Sequence, residues 1–119
     1  MDKVNLVDKL NLFSEQWQPK IVAELNGQAV KLVKIQGEFV WHHHDVEDEL
    51  FYVLKGTFTM KLRDRDIVLH KGEMLVVPRG VEHKPVAEHE AWIMLFEPAS
   101  TLNTGNLLIA RTVQQPEHI

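Results

Sequence analysis

This sequence predicts an all-β sandwich or barrel with a short N-terminal helix. Three observations lead there. From Pro19 to about residue 97, short apolar or alternating segments are divided by turn residues, the pattern of many short strands. Only the first segment repeats its apolar residues at helical spacing. The 119 residues show no internal repeat and no break in composition, so a single domain spanning residues 1–119 is expected.

In chain order, Val4, Val7, Leu10 and Phe13 recur every three residues, and Asp2 is placed to cap a helix there. Pro19 closes this helical segment, residues 1–18, because it disfavours helix at the residue before it. A barrel core over residues 28–98 follows. Its expected strands are Ala29–Gln36, Phe39–His44, Leu50–Leu54, Thr57–Leu62, Ile67–Leu69, Met74–Val77, His83–Val86 and Ala91–Phe96. Turns are expected at Asn26-Gly27, Gly37, Lys55-Gly56, Asp64-Arg65, Lys71-Gly72 and Pro78-Arg79-Gly80. In Thr57–Leu62 the residues Phe58, Met60 and Leu62 share one face. Trp92, Met94 and Phe96 alternate and read as a core-facing set. Residues 99–119 form a C-terminal segment. It has a turn at Asn103–Asn106, placed to cover a barrel mouth, an apolar piece Leu107–Ala110, and a loose tail.

Composition narrows the function. Apolar residues make up 45% and charged residues 25%, which is globular rather than disordered. Thirteen basic against seventeen acidic side chains give a formal charge of −4, so no nucleic-acid partner is expected. No apolar run is long enough to span a bilayer, so no membrane partner is expected either. The N-terminus lacks the apolar core and cleavage site of a signal peptide. The chain has no cysteine, which removes disulfides, thiolate metal sites and thiol nucleophiles together. A reducing, cytoplasmic location is the corresponding expectation.

The densest chemistry lies in WHHHDVEDELFYVLKG, residues 41–56. The histidine run is internal and flanked by strand formers, which argues against a purification tag. On a helix, residues two apart diverge. On a strand they share a face, roughly 6.5 Å apart. Phe39, Val40 and Trp41 favour strand, so His42 and His44 form a pair while His43 and Trp41 face the other way. Asp45–Asp48 reads as a hairpin turn, with its acids in water. Glu49 then opens an adjacent antiparallel strand and turns back toward the two histidines. In GEMLVVPRGVEH, residues 72–83, a turn at Pro78–Gly80 leads to His83, a fourth candidate, imidazole being the commonest transition-metal ligand. By itself His83 reads as an ordinary half-buried histidine; beside the other three it reads as a ligand.

These residues resemble the two conserved motifs of the cupins. Gly37, the His42-x-His44 pair, Glu49 and Gly56 resemble the first motif, and Gly72, Pro78, Gly80 and His83 the second. The resemblance covers roughly residues 28–98 and is similar to small single-domain bacterial cupins of undefined activity. The chain departs from the pattern twice: the family often has one residue more between Gly37 and His42, and an asparagine where this chain has Ala87. Neither change removes a ligand. The resemblance implies a six- to eight-stranded β-sandwich barrel, the double-stranded β-helix or jelly roll, with His42, His44, Glu49 and His83 as metal ligands inside one end.

Three imidazoles and a carboxylate suit a divalent transition metal: Fe, Mn, Ni, Co, Cu or Zn. An octahedral ion would keep two positions open, whereas a tetrahedral zinc would keep none. Val40 shares the face of His42, and Phe51 and Val53 share that of Glu49; all three are candidate pocket walls, with Tyr52 opposite. Arg79 could meet an anionic ligand at the mouth, although its ordinary role is that of a solvated turn residue. No catalytic acid or base stands out, and serine chemistry and phosphate loops lack their motifs.

Relatives of this kind include dioxygenases, isomerases, epimerases and decarboxylases. The expectation is therefore a metal-dependent enzyme acting on a small organic molecule. A non-catalytic ligand-binding or sensing module is the alternative, and a barrel with a vestigial site ranks last. A homodimer is expected as well, with outward Trp41 and Tyr52 at the interface and exposed strand edges covered.

Overall fold

The computed structural model describes residues 1–119. It has one helix, α1 (Leu6–Leu10), and eight strands: β1 (Lys20–Leu25), β2 (Gln28–Glu38), β3 (Glu49–Lys55), β4 (Thr57–Leu62), β5 (Asp66–His70), β6 (Met74–Val77), β7 (His83–Pro98) and β8 (Glu117–His118).

The layout follows from β7, which links the two sheets of the sandwich into one continuous hydrogen-bonded array of eight strands. Its first residues pair with β4, from Leu62↔His83 to Thr59↔Val86. Its later residues pair with β3, from Lys55↔Trp92 to Leu50↔Phe96. Along its other edge β7 pairs with β2 nearly throughout. β5 extends the first sheet beyond β4, and β6 extends the second beyond β3. The inner faces enclose one core of Val33, Ile35, Phe51, Val53, Phe58, Met60, Leu69, Val77, Ala87, Ala91, Ile93 and Leu95. This is the jelly-roll sandwich that the alternation of β4 implied: Phe58 and Met60 are fully buried while Thr57 and Thr59 are not.

Several elements differ from expectation. The helix spans only Leu6–Leu10, and its cap is Asn5, whose Oδ1 accepts from the Asp8 amide at 3.0 Å, not Asp2. Val4 and Val7 are exposed, while Leu10 and Phe13 are buried. Strand β1 was not expected. It pairs with β2 through a two-residue turn in which Asn26 and Gly27 both take positive φ, 51° and 76°, the twist that a tight hairpin prefers. β7 is one strand where two were read. The strand runs through the polar Glu88-His89-Glu90 on the way from β4 to β3.

The faces of β7 are also the reverse of the reading. Ala91, Ile93 and Leu95 point inward, and Trp92, Met94 and Phe96 are half-buried on the outside. There Trp92 and Met94 pack under Leu6, Leu10 and Phe13. Both faces of this strand are apolar, because the N-terminal segment covers part of the outer one, so alternation could not rank them. Finally, the tail is not loose: Glu117 and His118 pair in parallel with Lys20 and Ile21. No helix is long and apolar enough to cross a membrane.

Candidate metal centre

Phe39–His44 leaves the β2 ladder and does not form a strand of its own. It is tied to the start of β7 at a few points. The Phe39 amide donates to the Pro85 carbonyl at 3.0 Å, and His42 and His83 exchange both backbone hydrogen bonds. At its far end the Gly80 amide donates to the His44 carbonyl at 2.7 Å. The expected hairpin through Asp45–Asp48 is therefore absent, since β3 pairs with β6 and β7 and not with residues 39–44. The acidic run instead carries the chain between sheets, and Glu49 is the first residue of β3.

The extended backbone still sorts the histidines. His42 and His44 point inward and are buried; His43 points out and meets Asp45 at 2.9 Å. Trp41 likewise faces away, its ring under the Arg63 guanidinium at 3.8 Å. Glu49 shares its face with Phe51 and Val53, and all three are buried. His83 is fully buried where β7 begins.

The four candidate ligands thus converge from three places in the chain. One nitrogen or oxygen from each lies within 4.8 Å of all the others. Glu49 Oε1 is 3.3 Å from His44 Nε2 and 3.4 Å from His83 Nε2. Two rings are oriented by the backbone: Nδ1 of His42 meets the Val40 carbonyl and Nδ1 of His83 the Val81 carbonyl, each at 2.9 Å. With Nδ1–H donating outward, each Nε2 turns its lone pair inward, as metal-binding histidines do. Burial, and then the neighbouring His83, lower the pKa of His42 to about 4, so the ring is neutral near pH 7 and free to ligate.

Inside this cluster, Glu49 Oε1, His83 Nε2 and both ring nitrogens of His44 are buried without a hydrogen-bond partner. Unpaired buried polar atoms are costly. Four inward donors, three imidazole and one carboxylate, fit a first-row divalent ion, and these residues would hold it. Burial alone would push the Glu49 carboxyl up, but contacts with Glu97, His44 and His83 hold it well below its ordinary value. It is therefore an anion.

His42 and Glu49 reach the wall of a cavity of ≈ 40 Å³ lined otherwise by Trp17, Pro19, Val33, Ile35, Phe39, Phe51, Pro85, Ile93, Leu95 and Asn103. Of the expected wall residues, Phe51 is there and three lie elsewhere. Val40 offers its carbonyl to His42. Val53 is sealed in the core. Arg79 is exposed and paired with Asp48 at 3.2 Å, because the turn that carries it points into solvent.

Sequence reasoning placed the Asn103–Asn106 turn at a barrel mouth but missed Trp17 and Arg111. Trp17 stacks on Phe39 at 4.7 Å and donates its indole N–H to the Gln36 carbonyl. Arg111 lies over both rings. The Asn103–Asn106 turn contributes Asn103 to the cavity wall, while Asn106 exchanges hydrogen bonds with the His43 backbone.

A family model described as "Cupin domain" matches residues 30–96. A solved cupin-2 domain protein from Shewanella frigidimarina is 50% identical, with 80% of this chain and 93% of that one covered and a TM-score of 0.79. The uncharacterised protein YdbB of Bacillus subtilis is 35% identical over 81 residues, 67% of this chain and 72% of its own. A 3-hydroxyanthranilate 3,4-dioxygenase of Brucella anthropi is 32% identical over 65 residues, and the chain spans only 36% of that enzyme's length. Half of this chain and more fits the family model. The chain belongs to the cupin family.

Proposed function

We propose that this cupin is a metal-dependent enzyme of the dioxygenase or isomerase/epimerase type, acting on a small organic molecule. The observation that carries this reading is a buried His42, His44, Glu49 and His83 cluster, with unpaired atoms on His44, Glu49 and His83, reaching the wall of an apolar cavity through His42 and Glu49. The similarity to a protein named as a dioxygenase supports it.

A bound transition metal supplies Lewis-acid polarisation of a substrate oxygen, or electron transfer if it is redox-active. The chain's own residues do the rest. The Val40 and Val81 carbonyls fix the two oriented imidazoles. Phe51, Ile35, Ile93 and Leu95 exclude water and leave a low-dielectric wall. The cavity holds only a few water-sized groups, so a larger substrate must displace the Trp17–Phe39 stack.

One observation favours a non-catalytic binding module as the second reading. Apart from His42 and Glu49, no titratable side chain lines the cavity, so no separate acid or base is in place. We propose a homodimer as well: β6 is a free edge with exposed Met74 and Val76, and pairing would cover it. A cytoplasmic setting accords with the absence of cysteine.

The test has two arms. Protein purified without a histidine tag is analysed for metals, then reloaded and screened for oxygen uptake and for turnover of small carbonyl and sugar compounds. Near-stoichiometric metal with turnover supports the enzyme. Saturable ligand binding with no turnover selects the binding module, and a protein that cannot be loaded with metal sinks the metal-dependent enzyme.

A further inference from the structure

Of the residues that line the cavity, only Trp17 and Asn103 are not buried. The cavity therefore meets the surface beside these two, and Arg111 is joined to both. Its guanidinium carbon lies 5.8 Å from the centre of the Trp17 ring and 5.5 Å from that of Phe39. Its carbonyl accepts from Asn103 Nδ2 at 2.9 Å.

The Arg111 side chain is exposed and has no counter-ion. Each of the other arginines faces a carboxylate: Arg63 meets Glu82, Arg65 meets Asp64 and Arg79 meets Asp48. Arg111 donates from one guanidinium nitrogen to the Glu38 carbonyl at 2.9 Å. The Glu38 carboxylate, however, turns to Lys84, also at 2.9 Å. Nor do the rings hold the cation closely. A ring attracts a cation out to about 6 Å, and both distances are near that limit, whereas Arg63 sits 3.8 Å from the Trp41 ring.

The backbone that carries Arg111 is nevertheless pinned on either side. Asn103 Oδ1 accepts from the Val113 amide at 2.8 Å, so one side chain clasps residues 111 and 113. Thr112 Oγ1 meets Oγ1 of the fully buried Thr104 and accepts from the Ile109 amide. An arginine with no task beyond solvation needs no such support. A guanidinium held in place can grip a carboxylate through two parallel hydrogen bonds. Beneath it the cavity wall is apolar at Val33, Ile35 and Phe51.

We propose that Arg111 is a specificity-determining residue, which takes the carboxylate of a small organic acid whose apolar part enters the cavity beside Trp17. This rests on the small-molecule reading above and names the class of its substrate. A single guanidinium matches a singly charged carboxylate better than a doubly charged phosphate.

The test uses the full chain, metal-free and loaded with diamagnetic Zn(II). The probes are propanoate, benzoate, the amides of both, and inorganic phosphate. Binding is followed by NMR at the Trp17 indole N–H and the Arg111 side-chain N–H, and metal content by elemental analysis. Arg111→Gln removes the charge, and Arg111→Lys keeps it without the planar fork. Thermal melts check that both variants fold.

The two acids should shift both signals saturably and bind at least about tenfold more tightly than their amides. In Arg111→Gln, read at the Trp17 indole, acid and amide should bind alike, and Arg111→Lys should keep only part of the preference. Equal affinity for acid and amide in the unaltered protein would overturn the proposal. So would acids that move neither signal, or a preference that survives in Arg111→Gln. Phosphate binding as tightly as benzoate would overturn it too, because any anion would then serve. Failure of the enzyme reading looks different. A chain that takes up no Zn(II) but keeps the Arg111-dependent preference loses the enzyme and keeps the carboxylate site. A chain that takes up Zn(II) without the preference keeps the metal centre and loses this inference.

Discussion

His42 and His83 hydrogen-bond to each other through both backbone groups, at 3.1 and 2.9 Å, and their rings lie 4.2 Å apart. They are 41 residues apart in sequence. That one bridge joins the two halves of the candidate centre, and it sits where the long strand β7 begins.

Removing either histidine should therefore empty the centre. His42→Ala and His83→Ala are expected to lower metal affinity by more than about tenfold, while His43→Ala, whose ring points out to Asp45, leaves it unchanged. Metal analysis after dialysis against a weak chelator reads all three. Equal losses would contradict the sorting of the run into inward and outward rings.

Metal removal should cost stability. A ligand that binds only the folded state adds about 2.7 kcal/mol at a hundred times its Kd. For a chain of this size that corresponds to a rise in Tm of roughly 10 °C. Thermal melts of chelator-treated and reloaded protein test this, and superimposable melts would mean that the four candidate ligands hold no ion.

Gly105 packs directly on the ligand segment. A Cβ there would clash with the His43 carbonyl and come within 3.1 Å of His42 Cδ2, at a φ of +58° that other residues resist. Gly105→Ala should lose about 1–3 kcal/mol of stability and weaken metal binding as His42 is pushed aside. A variant with lower Tm but unchanged affinity would confine Gly105 to folding alone.

Trp17 closes the cavity by stacking on Phe39 with Arg111 above. Trp17→Ala should let a chelator strip the metal several-fold faster without changing the equilibrium affinity much. Stopped-flow extraction measures the rate. An unchanged rate would mean that the centre is reached by another route.

Glu90 accepts from Gln16 at 2.8 Å and from the Trp92 indole at 2.9 Å, and these two contacts hold its carboxyl below the ordinary range. A lowered folded pKa means a contribution that is present above the unfolded value, near 4.5, and lost as pH falls through the lowered one. The Gln16 segment should loosen in acid below about pH 4.5, seen as faster amide exchange near residues 16 and 17. Glu90→Gln should remove that pH dependence.

Most of the barrel strands were legible because β4 alternates cleanly and glycine or proline marks its neighbours. Strand β1 was not. Lys20–Leu25 follows a proline and mixes charge with apolar residues, and it is a strand because β2 offers it an edge. The faces of β7 were misread for a related reason. Trp92 and Met94 are apolar on account of α1 and not the core, and no local pattern says which apolar face has which cover. Lys31 and Glu97 were overlooked although each keeps the parity of its buried neighbours, Val33 and Ile35 in one case, Ala91, Ile93 and Leu95 in the other. A charged residue on an inward face reads as an error until its partner on the next strand is known.

Local chemistry alone therefore determined the class of fold and the four candidate ligands, since periodicity and ligand type are written residue by residue. The tertiary structure decided how they meet. It replaced a hairpin with a crossing between sheets, paired His42 with His83, buried Lys31 against Glu97, and brought Trp17 to the cavity wall. Each of these relationships joins segments that pack only when β7 bends through both sheets, and long-range packing of that kind leaves no periodic trace in the chain.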